Sequence, residues 1–285
     1  KNKNTFLDLG NCNLTELPQE LFDCIWLENL SLGIYNFDEQ KDRVQESKNQ
    51  GKTNQINSLE GIERLNHLEF LSLINNQISD ISALKELKNL TFLLLNGNQI
   101  SDISALKKLK NLRFLTLNGN QIADISALKE LRSLTTLWLE NNEILDISPL
   151  KKLKNLTKLR LGYNQISDIS PLKELKNLTN LHFYNNQISN ISHLKELKNL
   201  TTLWLFENPI SKIIPKNLAA PQEILAFWEK RQRSYRPTLS IFCHFQLHSI
   251  QRKFVHVYPL EYATFFVCST KRSKSRCLCY FFVGL

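Results

Sequence analysis

The motif Leu-x-x-Leu-x-Leu-x-x-Asn restarts every 22 residues through the middle of the chain, at Leu68, Leu90, Leu112, Leu134, Leu156, Leu178 and Leu200. Each restart carries an Asn eight positions on, from Asn76 and Asn98 through Asn120, Asn142, Asn164 and Asn186 to Asn208. The seven copies keep register without a gap, and Phe183 for Leu is the one change at a motif position. A fixed period of this length admits one kind of architecture, a stack of like supersecondary units that each contact only their neighbours. A lone unit has too little aliphatic side chain to offset the entropy of ordering its own backbone. The stack must therefore fold as one cooperative block with special ends.

Within a unit, Leu-x-Leu (Leu93 and Leu95, for example) has the period of a short strand with one side buried. Asn98 then turns the chain, and its amide can bond backbone groups that the turn leaves unpaired, so the Asn column should form a ladder. Ile100, Ile103, Leu106 and Leu109 return at spacings of three, which suits a 3-10 or loosely helical segment. The expected fold is an α/β solenoid of leucine-rich repeats, curved, with a parallel concave β-sheet and short 3-10 or irregular convex segments.

The period assigns the boundaries. Residues 1–35 hold two irregular repeats, built on Leu7, Leu9, Leu14 and Leu17 and on Leu27, Leu30 and Leu32. The next ladder Asn is due at position 35, yet the half-repeat NQINSLEGIERLNHL begins at Asn54, so residues 36–53 read as an inserted charged loop of about 19 residues leaving one rim. The insert contains Gly51-Lys52-Thr53, but Glu46 stands where a phosphate-binding loop needs its first Gly, so nucleotide binding is rejected. Residues 54–208 form the seven regular repeats. Residues 209–233 offer a Pro-started amphipathic helix around Ile224, Leu225, Phe227 and Trp228, expected to cap the apolar end of the stack. Residues 234–285 share no period with it and read as a basic Cys- and Phe-rich tail, disordered or foreign to the solenoid.

Composition excludes several classes. No apolar run approaches the roughly 18 residues of a membrane span. With no Met and Lys1 at the start, the chain is expected to be a processed or excised piece. Of the net charge of +9, six units fall after Arg233, where seven Lys or Arg face one acid, Glu261. Convex lysines such as Lys85, Lys107 and Lys151 alternate with Glu86, Glu130 and Glu174, the pattern of a solvated face, so no nucleic-acid partner is expected. The six Cys (Cys12, Cys24, Cys243, Cys268, Cys277, Cys279) show neither a disulfide framework nor paired zinc spacing, and Cys12 reads as a structural replacement at the Asn position. His244 and His248 near Cys243 lack a second ligand pair, so no metal or cofactor is expected. Asn-Leu-Thr at Asn13, Asn89, Asn155, Asn177 and Asn199 follows from repeat register, because its Leu is a core position.

Function must lie where repeats differ. The convex segment barely changes, whereas the outward strand positions vary: Ser72, Leu94, Thr116, Trp138, Arg160, His182 and Trp204 in one column, Phe70, Phe92, Phe114, Thr136, Lys158, Asn180 and Thr202 in the next. Beyond the strand lie Ile74, Asn96, Asn118, Glu140, Gly162, Tyr184 and Phe206, then a column that includes Tyr163 and Glu207. Seven strands at roughly 4.8 Å give a face about 30 Å long, enough for an interface of about 800 Å² per side. Two candidate binding patches follow, a Phe ladder (Phe70, Phe92, Phe114) and a C-terminal cluster (Trp138, Arg160, Tyr163, His182, Tyr184, Trp204, Phe206), since exposed aromatics and Arg are the usual interface anchors. His67, His182 and His193 have no nucleophile at a recognisable motif, so no enzyme is expected.

The form NQISDISPLKELKNLTNL resembles the 22-residue repeats of bacterial internalins and of the leucine-rich regulatory subunit of protein phosphatase 1. The resemblance spans residues 54 to 208. It implies binding of a protein through concave aromatics, carried here by Trp138, Tyr163, Tyr184, Trp204 and Phe206. TFLDLGNCNLTELPQELF and IPKNLAAPQEILAFWEK look instead like the flanks of repeat arrays in bacterial Roco proteins, in which a GTPase follows; no GxxxxGK[ST] occurs here. The expectation is a monomeric, cytoplasmic, bacterial module that binds a protein without catalysis. The alternatives are the sensor fragment of a Roco-like GTPase or kinase signalling protein, and a secreted internalin-like adhesion factor.

Overall fold

A computed structural model describes residues 5–38, 43–215, 218 and 220–235. Nine three-residue strands, β1 (Phe6–Asp8), β2 (Asn29–Ser31), β5 (Phe70–Ser72), β6 (Phe92–Leu94), β7 (Phe114–Thr116), β8 (Thr136–Trp138), β9 (Lys158–Arg160), β10 (Asn180–His182) and β11 (Thr202–Trp204), form one parallel sheet in chain order. From β5 onward the register equals the sequence period, with Leu71 beside Leu93, Leu93 beside Leu115 and so on to Leu203. Leu30 pairs with Leu71 across the insert without disturbing this ladder.

The central Leu of each strand points inward with the second motif Leu, and together with the convex Ile and Leu columns they form one continuous core, most of it fully buried. The convex side carries 3-10 turns such as Ser82–Glu86, Ser126–Glu130 and Ser170–Glu174, as the spacing of three requires. The repeated Asp-Ile-Ser explains where each turn starts. Asp168 accepts from the Ser170 N–H at 2.8 Å and from its hydroxyl at 2.9 Å, satisfying donors that the turn leaves unpaired. Lys154 and Lys176 pair with Glu174 and Glu196 on the solvated convex surface at 2.9 and 3.1 Å, and these lysines hold both carboxyl groups below the usual carboxylate range.

The Asn ladder is complete from Asn54 to Asn208. Asn164 accepts from the Ile144 N–H at 3.0 Å and donates to the carbonyls of Leu139 and Leu161 at 2.9 and 3.1 Å, so one amide ties two successive repeats. Asn54 takes the place due at position 35, accepting from the N–H groups of Cys12 and Leu14. A second ladder uses the Asn of Asn-Leu-Thr, in which Asn89, Asn155, Asn177 and Asn199 each donate to a carbonyl 23 residues back.

The insert departs from an irregular charged loop at its beginning. β3 (Tyr35–Asp38) and β4 (Arg43–Glu46) pair as an antiparallel hairpin, because the chain leaving β2 must reverse and backbone pairing satisfies the reversal. The returning segment then seals the first repeat: Ser47 Oγ donates to the Asp8 carboxylate at 3.0 Å and Asn49 Nδ2 to the Gly10 carbonyl at 2.9 Å.

At the other end, α1 (Pro221–Tyr235) starts at a Pro, whose missing N–H costs nothing there. It buries Ile224, Leu225 and Trp228, and Trp228 Nε1 donates to Ser192 Oγ at 3.0 Å, fastening the helix to the stack. The expectations for the tail, including Cys243, Cys268, Cys277, Cys279, His244 and His248, lie outside the described residues.

Candidate functional site

The outward columns of β8 to β11 and the turns behind them bring the C-terminal candidates together. His182 and Trp204, register neighbours on β10 and β11, stack with centroids 3.9 Å apart and planes at 12°. One column over, Tyr184 stacks on Phe206 at 4.8 Å and 11° and meets the edge of Tyr163 at 5.2 Å. Trp204 lies 6.2 Å from both Tyr184 and Phe206, which joins the columns into one aromatic surface. Tyr163, Trp204 and Phe206 remain 49%, 47% and 51% exposed, whereas most other large apolar side chains of the repeats are buried.

Tyr184 is held by a device that spans three repeats. Its hydroxyl donates to Glu140 Oε1 at 2.9 Å, 44 residues back, passing over Gly162. A Cβ on Gly162 would fall 2.5 Å from Tyr184 Cζ, so the missing side chain is what lets the ring lie there. The other oxygen of Glu140 accepts from Asn118 Nδ2 at 3.2 Å, and the Glu140 N–H donates to Asn118 Oδ1 at 2.9 Å. Burial and the bond to Glu140 push the Tyr184 hydroxyl up to about 12, so it is protonated at physiological pH. Burial, with the charge of Arg160, lowers His182 to about 4 and leaves it a neutral ring.

Backbone strain marks the same place. The turn position after the strand is left-handed in every regular repeat, and Asn or Gly occupies it at Asn75, Gly97, Gly119, Asn141 and Asn185. Tyr163 and Glu207 adopt this conformation at φ of 51° and 56° with side chains that disfavour it. Strained residues that structure does not demand point to a site.

The other candidates are placed differently. Phe70 is buried at 3% exposure in a small cluster with Ile74 and Leu94, against which Ile34, Phe92 and Phe114 pack. Ile34, just before the insert, packs on this cluster, so Phe70 is covered whereas Phe92 and Phe114 are half-buried. Trp138 is half-buried between Phe114 at 5.6 Å and the Arg160 guanidinium, 4.2 Å above its ring. His182, 5% exposed, is covered by its stack with Trp204. Three buried polar atoms on neighbouring strands of this column have no partner: Thr116 Oγ1, Trp138 Nε1 and His182 Nδ1. Each such atom costs about 1–3 kcal/mol.

Glu140 and Gly162 were missed as site residues, although both break the pattern of their column. Among the described residues no group of three or more His, Cys, Asp or Glu could hold a metal, and no helix is long and apolar enough to cross a membrane.

An open parallel sheet on one side with 3-10 turns on the other defines a leucine-rich repeat solenoid, a fold that commonly mediates protein–protein interaction. The family model described as Leucine Rich repeats (2 copies) matches residues 88–130, 132–174 and 176–219. An internalin C2 (inlC2) of Listeria monocytogenes is 35% identical, with 70% of this chain and 80% of that one covered, at a TM-score of 0.62. An internalin (inlF) of Listeria monocytogenes is 32% identical over 71% of this chain, at a TM-score of 0.60, and this chain spans about half of it, 54%. The Leptospira interrogans leucine-rich repeat protein LIC12759 is 30% identical over 81% of this chain and 58% of its own, again with a TM-score of 0.60. The chain belongs to the leucine-rich repeat proteins, with internalin-like repeats. No curated protein sequence matches it.

Proposed function

We propose that this chain is a non-catalytic module that binds a protein partner on the concave surface of its C-terminal repeats. The observation that carries this reading is the aromatic surface of Tyr163, Trp204 and Phe206, half exposed and preorganised by stacking and by the Glu140 to Tyr184 bond. Rigid aromatics lose little entropy on contact and are the commonest hot spots of interfaces. The surface therefore has the chemistry of an interface centre without further rearrangement. The likeness to two internalins favours a second reading, in which the same surface serves a secreted adhesion factor; the cytoplasmic module and the adhesion factor use one site and differ in where the partner lies.

The test is affinity capture with the wild-type chain and with Trp204→Ala/Phe206→Ala, the captured proteins being identified and quantified by mass spectrometry. Neither residue belongs to the aliphatic core, so the variant should remain folded, melting lower only by the lost aromatic stacks at about 0.5–1.5 kcal/mol each, while losing a defined set of proteins. Alanine at such anchors costs about 2 kcal/mol or more each. An unchanged set of captured proteins rules out the C-terminal concave surface.

A further inference from the structure

We propose that the partner of this surface presents an acidic segment, whose carboxylates pair with Lys158 and Arg160 beside the aromatic cluster; this rests on the concave-surface reading above. The argument begins with charge. Four charged side chains occupy the outward and turn columns of the seven regular repeats: Glu140, Lys158, Arg160 and Glu207. Both acids are already engaged. Glu140 accepts from Tyr184 and from Asn118, and Glu207 accepts from Asn185 Nδ2 at 3.0 Å. Both bases, two positions apart on β9, have no ion pair or hydrogen bond among the described residues. Lys158 is exposed, and the Arg160 guanidinium lies over the face of Trp138. A guanidinium laid on an indole keeps its edge donors pointing away from the ring plane contact, ready for the two oxygens of a carboxylate.

The neighbouring positions of this column carry no counter-charge for Arg160. Register places Thr116, Trp138, Arg160 and His182 side by side on β7 to β10. Thr116 Oγ1, Trp138 Nε1 and His182 Nδ1 all lack a partner, and Thr116 and His182 are each more than nine-tenths buried. The stripe therefore holds a cation that no side chain of its column pairs with, while the acids near it keep their charge but already accept hydrogen bonds from Tyr184, Asn118 and Asn185. A basic or neutral partner segment would leave Arg160 and Lys158 desolvated without counter-charge, whereas an acidic one supplies it.

The experiment is selection of phage-displayed random dodecapeptides on the full chain, with binding of the recovered peptides measured by fluorescence anisotropy. The expected result has three parts: recovered peptides are enriched in Asp and Glu, they lose tenfold or more in affinity to Lys158→Gln/Arg160→Gln, and they weaken steeply with added salt. Thermal unfolding of that variant should match the wild type, since neither side chain lies in the core. Peptides that need Trp204 and Phe206 yet show no acidic enrichment would overturn the acidic partner while leaving the concave surface standing. Acidic peptides indifferent to Trp204→Ala/Phe206→Ala would overturn both. A single-stranded oligodeoxynucleotide that binds more tightly than the peptides, and is lost in the Lys158→Gln/Arg160→Gln variant, would reassign the cations to phosphate and likewise overturn the proposal.

Discussion

Replacing Gly162 with Ala is the smallest change that tests how the aromatic surface is built. The added Cβ would lie 2.5 Å from Tyr184 Cζ and 2.7 Å from both Cε atoms. Ordinary carbon contact begins at roughly 3.5 Å, so the ring must retreat by about 1 Å. That carries its hydroxyl from 2.9 Å to beyond hydrogen-bonding range of Glu140. A hydrogen bond to a charged group contributes about 1.5–3 kcal/mol, with the lower end apt for a half-exposed ring. Against this, Ala removes freedom from the unfolded chain and stabilises by about 0.4–1 kcal/mol wherever the backbone accepts it. The net loss is about 0.5–2 kcal/mol, a fall in Tm of roughly 1–8 °C for a domain of this size. The assay is a double-mutant cycle by chemical denaturation with Tyr184→Ala. With the ring gone, Gly162→Ala should turn neutral or stabilising. Equal destabilisation in both backgrounds would show that the glycine serves the backbone and not the ring. The same variant should move the Tyr184 ionisation from about 12 back toward 10, read by ultraviolet titration against Tyr184→Phe.

Three further outcomes follow from the same geometry. Tyr163→Asn should relieve left-handed strain of about 1–2 kcal/mol at the loss of one aromatic contact of about 0.5–1.5 kcal/mol, so it should melt at or slightly above the wild type while partner binding weakens. Asn164→Ala strands the buried Ile144 N–H, whereas the Leu139 and Leu161 carbonyls keep Asn142 and Asn186 as donors, and should cost about 1–3 kcal/mol, with accelerated hydrogen exchange at Ile144 as its local mark. His182 ionises near 4 when folded and near 6.5 when unfolded, so the unfolded chain binds the extra proton between these values. Stability is full above pH 6.5 and lost as pH falls toward 4, by up to about 3 kcal/mol. Denaturation of His182→Gln across that window should lack this component, and an identical pH profile in both chains would refute the assignment.

The 22-residue spacing by itself dictated the parallel register of β5 to β11, because every strand of a stack that buries a Leu column must face its equivalent one period away. Spacing of three likewise predicted the 3-10 turns, and a lone Asn after each strand predicted the ladder, since backbone groups there have no other partner. The same reading placed Trp204 and Phe206 outward by the period-two alternation of the strand, and Tyr163 in the turn column beside them. Period says which column a side chain belongs to; it does not say how far the side chain leans along the stack. Only the tertiary structure showed Tyr184 crossing Gly162 to reach Glu140, His182 lying beneath Trp204, and Arg160 folded onto Trp138. Those outcomes depend on the sizes of neighbours 22 and 44 residues away, as does the covering of Phe70 by the chain that leaves for the insert. Sequence set the lattice of positions because backbone pairing and core burial repeat with it. The working surface was decided by contacts between unlike residues on adjacent repeats, and those have no period to read.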